Sequence, residues 1–368
     1  MVTDQTTEIA ATPALVIDLA TVERNIDRLA RYATEHDINV RPHTKTHKSL
    51  KMASRQLRAG AIGLTAAKVG EAEVMAAASR DILIAYPAAD AHRCRRIAEL
   101  ARGGVTVRVA ADSVEAIDAL SSAARTADST VGVLVDLDVG FHRTGAQSPA
   151  AALELARKVA RDSSLRLDGI FFYPGHVWTP ADEQAAELAR IDALLAETIN
   201  AFHRSGLDAG IVSGGSTPTA YQSHLVKSQT EIRPGTYLYN DMNTARAGFC
   251  SLDDCAAAIV CTVVSTSIPG KVVIDGGTKT FTSDRNVTAP DSGHGHLVEF
   301  PDAKLVRLSE EHGEVDVSAC SVRPVIGQRV TVIPNHICPC VNLQDSVWLR
   351  HADGSFAVAG VDTRGRLS

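Results

Sequence analysis

A chain of 368 residues exceeds the ~250–300 at which a single hydrophobic core stops growing, so more than one domain is expected. With 45% hydrophobic and 22% charged residues the composition is that of a globular protein and excludes a disordered chain. A net charge of −6, from 37 Lys and Arg against 43 Asp and Glu, argues against a nucleic-acid partner. Apolar runs such as Val131-Gly132-Val133-Leu134-Val135 fall far short of the ~20 residues that span a bilayer, so no membrane partner is expected either.

The opening Met1-Val2-Thr3-Asp4-Gln5-Thr6-Thr7-Glu8 has neither the basic start nor the apolar core of a secretory leader. Seven cysteines (94, 250, 255, 261, 320, 338 and 340) make an odd count without framework spacing, which reads as reduced thiols in a cytoplasmic protein. Cys255 and Cys261 read as small buried side chains.

From residue 39 the chain alternates short β-branched runs with helical patterns. The runs are Asn39–Lys45, Ile62–Ala67, Asp81–Pro87, Val105–Ala110, Gly132–Asp138, Leu167–Tyr173, Gly210–Gly214 and Thr230–Tyr239. Val22, Ile26, Leu29 and Ala33 follow the helical period, as do Leu188, Ile191, Leu195, Ile199 and Phe202. Eight such units imply a parallel sheet with right-handed crossovers, and closing it gives a (β/α)8 TIM barrel over residues 15–245. An open doubly wound sheet stays compatible with the same strands, though no strand is followed by a dinucleotide fingerprint. After residue 250 the texture turns to strands: Ala258–Ser265, Lys271–Asp275, Lys304–Leu308, Glu314–Val317, Arg329–Pro334 and Ser346–Arg350, with an Asp353-Gly354 hairpin leading to Phe356-Ala357-Val358. Residues 250–368 therefore read as a separate all-β domain, on which residues 1–14 have room to pack. Ser283–Gly295 is the most loop-like stretch.

Three segments can carry chemistry. Arg41-Pro42-His43-Thr44-Lys45-Thr46-His47-Lys48 ends the first barrel strand, on the face where barrel enzymes place their sites, and a lysine there suits Schiff-base chemistry. On charge pattern alone it reads equally as a solvated basic turn. Gly214-Gly215-Ser216-Thr217 and Gly235-Thr236-Tyr237 follow the seventh and eighth strands, where this fold binds phosphate through backbone N–H groups and hydroxyls. By itself a Gly-Gly-Ser-Thr run is just a loop. In Pro334-Asn335-His336-Ile337-Cys338-Pro339-Cys340, His336 and Cys338 share one side of an extended segment, and imidazole with thiolate suits Zn²⁺. Cys340 has the same parity and is open as a third ligand; a pair of buried cysteines beside a turn is the plainer reading.

Together these segments resemble the D-threonine aldolase/D-serine dehydratase family, pyridoxal-phosphate (PLP) enzymes of the alanine-racemase-like fold. The resemblance is carried by the Lys45 run, Gly-Ser-Thr-Pro at 215–218, Arg-Pro-Gly-Thr-Tyr at 233–237 and Pro-Asn-His-Ile-Cys at 334–338, and extends from about Thr12 to Leu343. It implies that Lys45 holds the cofactor and that Gly214, Gly215, Ser216, Thr217, Gly235, Thr236 and Tyr237 hold its phosphate. It further implies that Arg143 and Tyr173 line the cofactor and substrate pocket and that His336 and Cys338 bind a divalent metal, Zn before Mn, Co or Mg. Members of this fold class pair head to tail, so a homodimer is expected.

Within the family, His-x-Cys resembles the dehydratases, whereas the aldolases carry His-x-Asp. The aldolases also have a histidine a few residues beyond the tyrosine of strand six, and His176 does not stand at the matching place. The favoured expectation is a lyase taking a small D-β-hydroxy amino acid to a keto acid and ammonia. Retro-aldol cleavage to glycine and an aldehyde is the alternative, with a racemase or a non-catalytic PLP carrier more distant. Glu311-His312-Gly313 also recurs in the family and receives no role.

Overall fold

The structure, a computed structural model, describes residues 6–368. Met1–Gln5, whose sequence lacks a leader's pattern and which belongs to the tail expected on the β domain, lies outside the described residues. By internal contacts the chain forms two compact units, and their division is not colinear. One comprises residues 27–45, 50–235 and 365–368; the other comprises, of the described residues, 6–26, 46–49 and 236–364.

The chain begins with β1 (Ala14–Asp18), which belongs to the second of these units, and continues into α1 (Leu19–Glu35). The barrel strands are β2 (Asn39–Val40), β3 (Leu64–Ala66), β4 (Asp81–Ile84), β5 (Thr106–Ala111), β6 (Val131–Leu137), β7 (Leu165–Phe172), β8 (Ile211–Gly214) and β9 (Glu231–Ile232). Every pairing among them is parallel, in the order β2-β9-β8-β7-β6-β5-β4-β3. The two end strands also meet: Ile62 N donates to Val40 O, Thr65 N to Pro42 O and Thr44 N to Thr65 O, at 2.8–3.0 Å. The sheet thereby closes on itself, as the eight β-branched runs predicted. The intervening helices are α2 (Leu50–Arg58), α3 (Val69–Met75), α4 (Ala91–Arg102), α5 (Val114–Thr126), α6 (Pro149–Ala160) and α7 (Ala185–Arg204). Asp90, Ser113 and Ser148 cap α4, α5 and α6 by accepting from the backbone N–H three residues on, which sharpens those starts.

Alternate residues of each strand face the helices or the barrel axis. Val107, Val109, Val131, Val133, Val135, Ile170, Phe172 and Val212 form the large core under the helices, while Leu83, Ala110, Leu134 and Phe171 form a small one of opposite parity inside the barrel. The rest of the inward register carries charge rather than the usual branched apolar layers. Arg41 Nε binds both oxygens of Glu231 at 3.0 and 3.1 Å, Arg41 and Arg108 share Asp81, and Arg108 Nε pairs with Asp168 at 2.8 Å. Burial works to lower the Arg41 pKa, but the charges of Glu231 and Asp81 outweigh it and raise it above the ordinary value. Gly132 makes room for this belt: a Cβ there would lie 2.3 Å from Asp168 Oδ2.

The second unit is a mixed sheet that contains β1. It adds β10 (Ala257–Ser265), β11 (Lys271–Ile274), β12 (Gly295–Leu297), β13 (Lys304–Leu308), β14 (Gly313–Asp316), β15 (Arg329–Pro334), β16 (Ser346–Arg350) and β17 (Phe356–Gly360). The order is β13-β14-β11-β10-β1-β16-β17, with β15 on β10 and β12 on β15. β1 is antiparallel to β10 and parallel to β16. Three short helices interrupt it: α8 (Met242–Arg246), α9 (Thr278–Phe281) and α10 (Ile337–Leu343). Cys261 is buried in this core as expected, but Cys255 is only partly buried, because it ends the turn Leu252–Asp254 before β10 begins. None of the seven cysteines forms a disulfide. Among the described residues no helix is long and apolar enough to cross a membrane.

Candidate active site

Lys45 follows β2 at the C-terminal end of the barrel, with its side chain exposed and its backbone N–H 3.4 Å from His43 Nδ1. Arg143 lies on the loop after β6 and Tyr173 directly after β7, on the same barrel end. The structure brings these two together: the Arg143 guanidinium stands 4.8 Å from the Tyr173 ring centre and 5.2 Å from that of Phe141, and the two rings meet edge to face at 5.3 Å. Phe141 carried no signal in the sequence.

Gly214 and Gly215 end β8. A Cβ on Gly214 would fall 1.9 Å from the Phe172 ring, and Gly215 has φ +78, so the chain turns here as few other residues could. Ser216 and Thr219 then close the turn on each other: Ser216 N donates to Thr219 Oγ1, and the two hydroxyls are 3.1 Å apart. β9 stops at Ile232, short of the expected Tyr239, because Pro234-Gly235 breaks the extended run; Tyr237 therefore sits on a 3-10 turn, Thr236–Leu238.

Beneath the barrel mouth lie two charged residues to which the sequence reading gave no role: Asp136, which it did not single out, and Arg233, which it quoted only as the start of the Arg-Pro-Gly-Thr-Tyr motif. Arg233 is fully buried, donating to Ser213 Oγ and Phe172 O at 2.7 Å and lying 3.8 Å from the Phe171 ring centre; burial pushes its pKa down to about 10. Asp136, at the end of β6, accepts from Thr144 Oγ1 at 2.8 Å, and burial pushes its pKa up to about 6. Both lie within predicted strands, which was the only signal for Asp136; Arg233 also heads the 233–237 motif. His176 turns to α7, 2.7 Å from Glu187 Oε1.

The His336-Cys338 pair is placed differently from expectation. His336 is extended (φ −136, ψ 105), but Cys338 lies in the first turn of α10, so strand parity does not set their relation. Pro339 is compatible with this helix because a first-turn N–H needs no intrahelical acceptor. Asp241 starts both short helices: Oδ1 accepts from Thr244 N in α8 and Oδ2 from Ile337 N, each at 3.1 Å. Cys340 points away, donating to Phe281 O and His336 O, and burial pushes its thiol well up. It is not available as a third ligand.

The histidine and cysteine have polar neighbours in their own unit. His336 Nδ1 is 2.7 Å from Asp284 Oδ2, and Cys338 Sγ is 3.2 Å from Thr46 Oγ1 and 3.6 Å from Thr236 Oγ1. Burial opposes a charged His336, yet its contacts with Cys338, Asp241 and Asp284 push the imidazole up to about 9. An imidazole with one nitrogen on a carboxylate and the other left for a thiolate partner is the donor arrangement a zinc-like ion takes, with the carboxylate fixing the ring. Among the described residues no group of three or more His, Cys, Asp or Glu is arranged to hold a metal ion.

Residues 17–243 match the family model “Alanine racemase, N-terminal domain” and residues 256–349 the model “Putative serine dehydratase domain”. The chain is 32% identical to D-threo-3-hydroxyaspartate dehydratase of Delftia sp., over 89% of this chain and 90% of that protein. The crystal structure of D-threonine aldolase from Filomicrobium marinum shares the fold at a TM-score of 0.90 and 30% identity, covering 97% of both chains. A metal-free D-threo-3-hydroxyaspartate dehydratase with a cysteine changed to alanine gives 0.90 at 28% identity, covering 97% of this chain and 99% of that one. The chain belongs to the D-threonine aldolase/D-serine dehydratase family on the alanine-racemase-like fold. It is a PLP-dependent lyase of that type.

Proposed function

We propose that this protein is a metal-assisted dehydratase of small D-β-hydroxy amino acids, converting D-serine-like substrates to a keto acid and ammonia. The observation that carries this reading is the thiol–imidazole pair, with Asp284 on the outer nitrogen of His336. A relative supports it: in D-threo-3-hydroxyaspartate dehydratase a histidine and a cysteine two positions apart were each replaced, and the cysteine variant is the metal-free form. The spacing is that of His336 and Cys338.

When bound, PLP spreads negative charge from Cα and a metal polarises the β-hydroxyl. In this reading Lys45 supplies the amine that links the cofactor and later removes the Cα proton. Gly214, Gly215, Ser216 and Thr217, with Gly235, Thr236 and Tyr237, hold the phosphate through N–H and hydroxyl groups. Arg143 and Tyr173 face the cofactor and substrate, and His336 and Cys338 hold the metal, zinc by donor preference. The working unit is a homodimer in the cytoplasm.

The likeness to D-threonine aldolase favours a second reading, cleavage to glycine and an aldehyde. Product analysis decides between them. D-Serine giving pyruvate and ammonia, with loss of product on chelation and none from L-serine, supports the dehydratase. D-Threonine giving stoichiometric glycine and acetaldehyde while D-serine gives no keto acid overturns it. Borohydride reduction that fixes pyridoxyl on Lys48 or Lys68 instead of Lys45 overturns the lysine assignment.

A further inference from the structure

Three carboxylates that no step above uses stand at the ends of adjacent barrel strands: Asp112 after β5, and Asp136 and Asp138 at the end of β6. All three accept from the single loop that carries Arg143. Gly145 N donates to Asp112 Oδ2 at 3.1 Å and Thr144 Oγ1 to Asp136 Oδ2 at 2.8 Å. Asp138 receives Gly140 N at 2.9 Å, His142 N at 3.0 Å and Gln147 Nε2 at 3.2 Å, with His142 Nδ1 at 2.6 Å. Arg143 is thus fixed from both sides, through His142 to Asp138 and through Thr144 to Asp136. Its own guanidinium makes no hydrogen bond or ion pair among the described residues and rests on the Phe141 and Tyr173 rings. The loop has little freedom: Gly145 has φ +109, and a Cβ there would lie 2.4 Å from Asp138 N.

The three carboxylates differ in one respect. Asp138 collects so many donors that its pKa falls to about 2 despite burial, whereas Asp136 is buried with one side-chain donor. The groups facing Asp136 are Thr144 and Arg143 from the loop, Asp112 from β5 and Arg233 from the end of β9. On the neighbouring β7, the residue paired with Asp136 is the neutral Phe171, and Tyr173 follows two positions later. We propose that Asp136 is a positioning residue for the reaction: its carboxylate anchors Thr144 and balances the charge of Arg143 and Arg233, so that Arg143 is held in its working pose only while Asp136 is ionised. This rests on the reading that Arg143 faces the cofactor and substrate.

The consequence is an acid limb with a specific signature. Burial, then the Asp112 charge, raise the Asp136 pKa, while the Thr144 hydrogen bond and the Arg233 and Arg143 charges lower it, leaving it at about 6. Function is then complete above that value and lost as the pH falls through it. Thr144→Val removes a lowering influence and moves the limb to higher pH. Asp112→Asn removes a raising one, keeps an oxygen for Gly145 N, and moves the limb to lower pH. Each shift should reach about half a pH unit or more. A purely structural contact would not move the limb in opposite directions.

The experiment is the pH profile of kcat/KM for the holoenzyme and these variants, with D-serine and D-threo-3-hydroxyaspartate as probes. Asp136→Asn should lose the limb and fall roughly 10-fold at about pH 8, the scale of one hydrogen bond to a charged group. Neither second substitution should shift anything in that background. Difference infrared spectra of the cofactor-free protein supply the readout without turnover: a protonated-carboxyl band should grow as the pH falls, vanish in Asp136→Asn, and shift in the same opposite directions. A limb that survives in Asp136→Asn, or that moves the same way in Thr144→Val and Asp112→Asn, overturns the inference. Arg143→Ala separates the two levels. If it alters neither PLP affinity nor turnover, the placement of Arg143 fails; if it does and Asp136→Asn does not, only the role of Asp136 fails.

Discussion

Replacing Asp241 by alanine tests how the His336-Cys338 segment is built. The carboxylate is 1% exposed and serves two helices at once, accepting from Thr244 N at the start of α8 and from Ile337 N at the start of α10. Losing the first contact removes an N-cap, which costs about 1 kcal/mol. Losing the second leaves a buried N–H of Ile337 without its acceptor, at a cost of about 1–3 kcal/mol. Against this, the variant no longer buries an anion, whose desolvation raises the Asp241 pKa and offsets part of the gain of the wild-type side chain. The net expectation is a loss of about 2 kcal/mol, with Asp241→Asn losing roughly half, since the amide keeps one acceptor. Urea unfolding of the cofactor-free protein measures the stability, and chelator competition measures zinc affinity. Because Asp241 fixes the start of α10 and lies within the field of His336, zinc should bind roughly 10-fold more weakly, the usual range for an outer-shell change. An Asp241→Ala protein within ~0.5 kcal/mol of the parent, the range of a surface substitution, refutes the reasoning.

Gly132→Ala should drive a methyl into Asp168 and Arg108 inside the barrel and destabilise by about 1–3 kcal/mol, the usual cost of overpacking, read as a lower urea midpoint. A stability gain there would mean that the charged belt is loosely packed. Asp162 has its carboxyl at about 2, because hydrogen bonds from Ser121 and Ser164 and the Arg125 charge outweigh burial. Since this value lies below the ordinary 3.8, the contribution is present above that pH and disappears as the pH falls from about 4 through 2. Asp162→Asn should flatten the stability-versus-pH curve in that window, and an unchanged slope counts against the ion pair.

The barrel was legible because each strand is a β-branched run bounded by turns, and the parallel order follows from the helices between them. What the period could not reveal was the content of the inward register. Arg41 stood only as the start of the 41–48 run, and Asp81, Arg108 and Glu231 lay in predicted strands without a role; only the closed sheet shows that they pair with one another. The place of β1 was also hidden: its apolar pattern, Ala14-Leu15-Val16-Ile17, reads the same whether it opens a barrel or fills a sheet 240 residues away. In the site, Lys45 and the glycines stood out by position at strand ends. The short helix after His336 did not, because a cysteine-proline-cysteine run has no helical period. It is folded by Asp241, nearly a hundred residues upstream.

The central position of β1 between β10 and β16 has a consequence for synthesis on the ribosome. β1 leaves the exit tunnel before any barrel strand, yet β10 and β16 are made only after the barrel strands are complete. At 5–20 residues per second that interval is on the order of tens of seconds. Throughout it the apolar strand lacks both of the neighbours that pair its edges, the condition under which chaperones engage and strand-swapped dimers form. Vectorial synthesis thus sets the order of events. All eight barrel strands are therefore made before β1 gains either of its sheet neighbours.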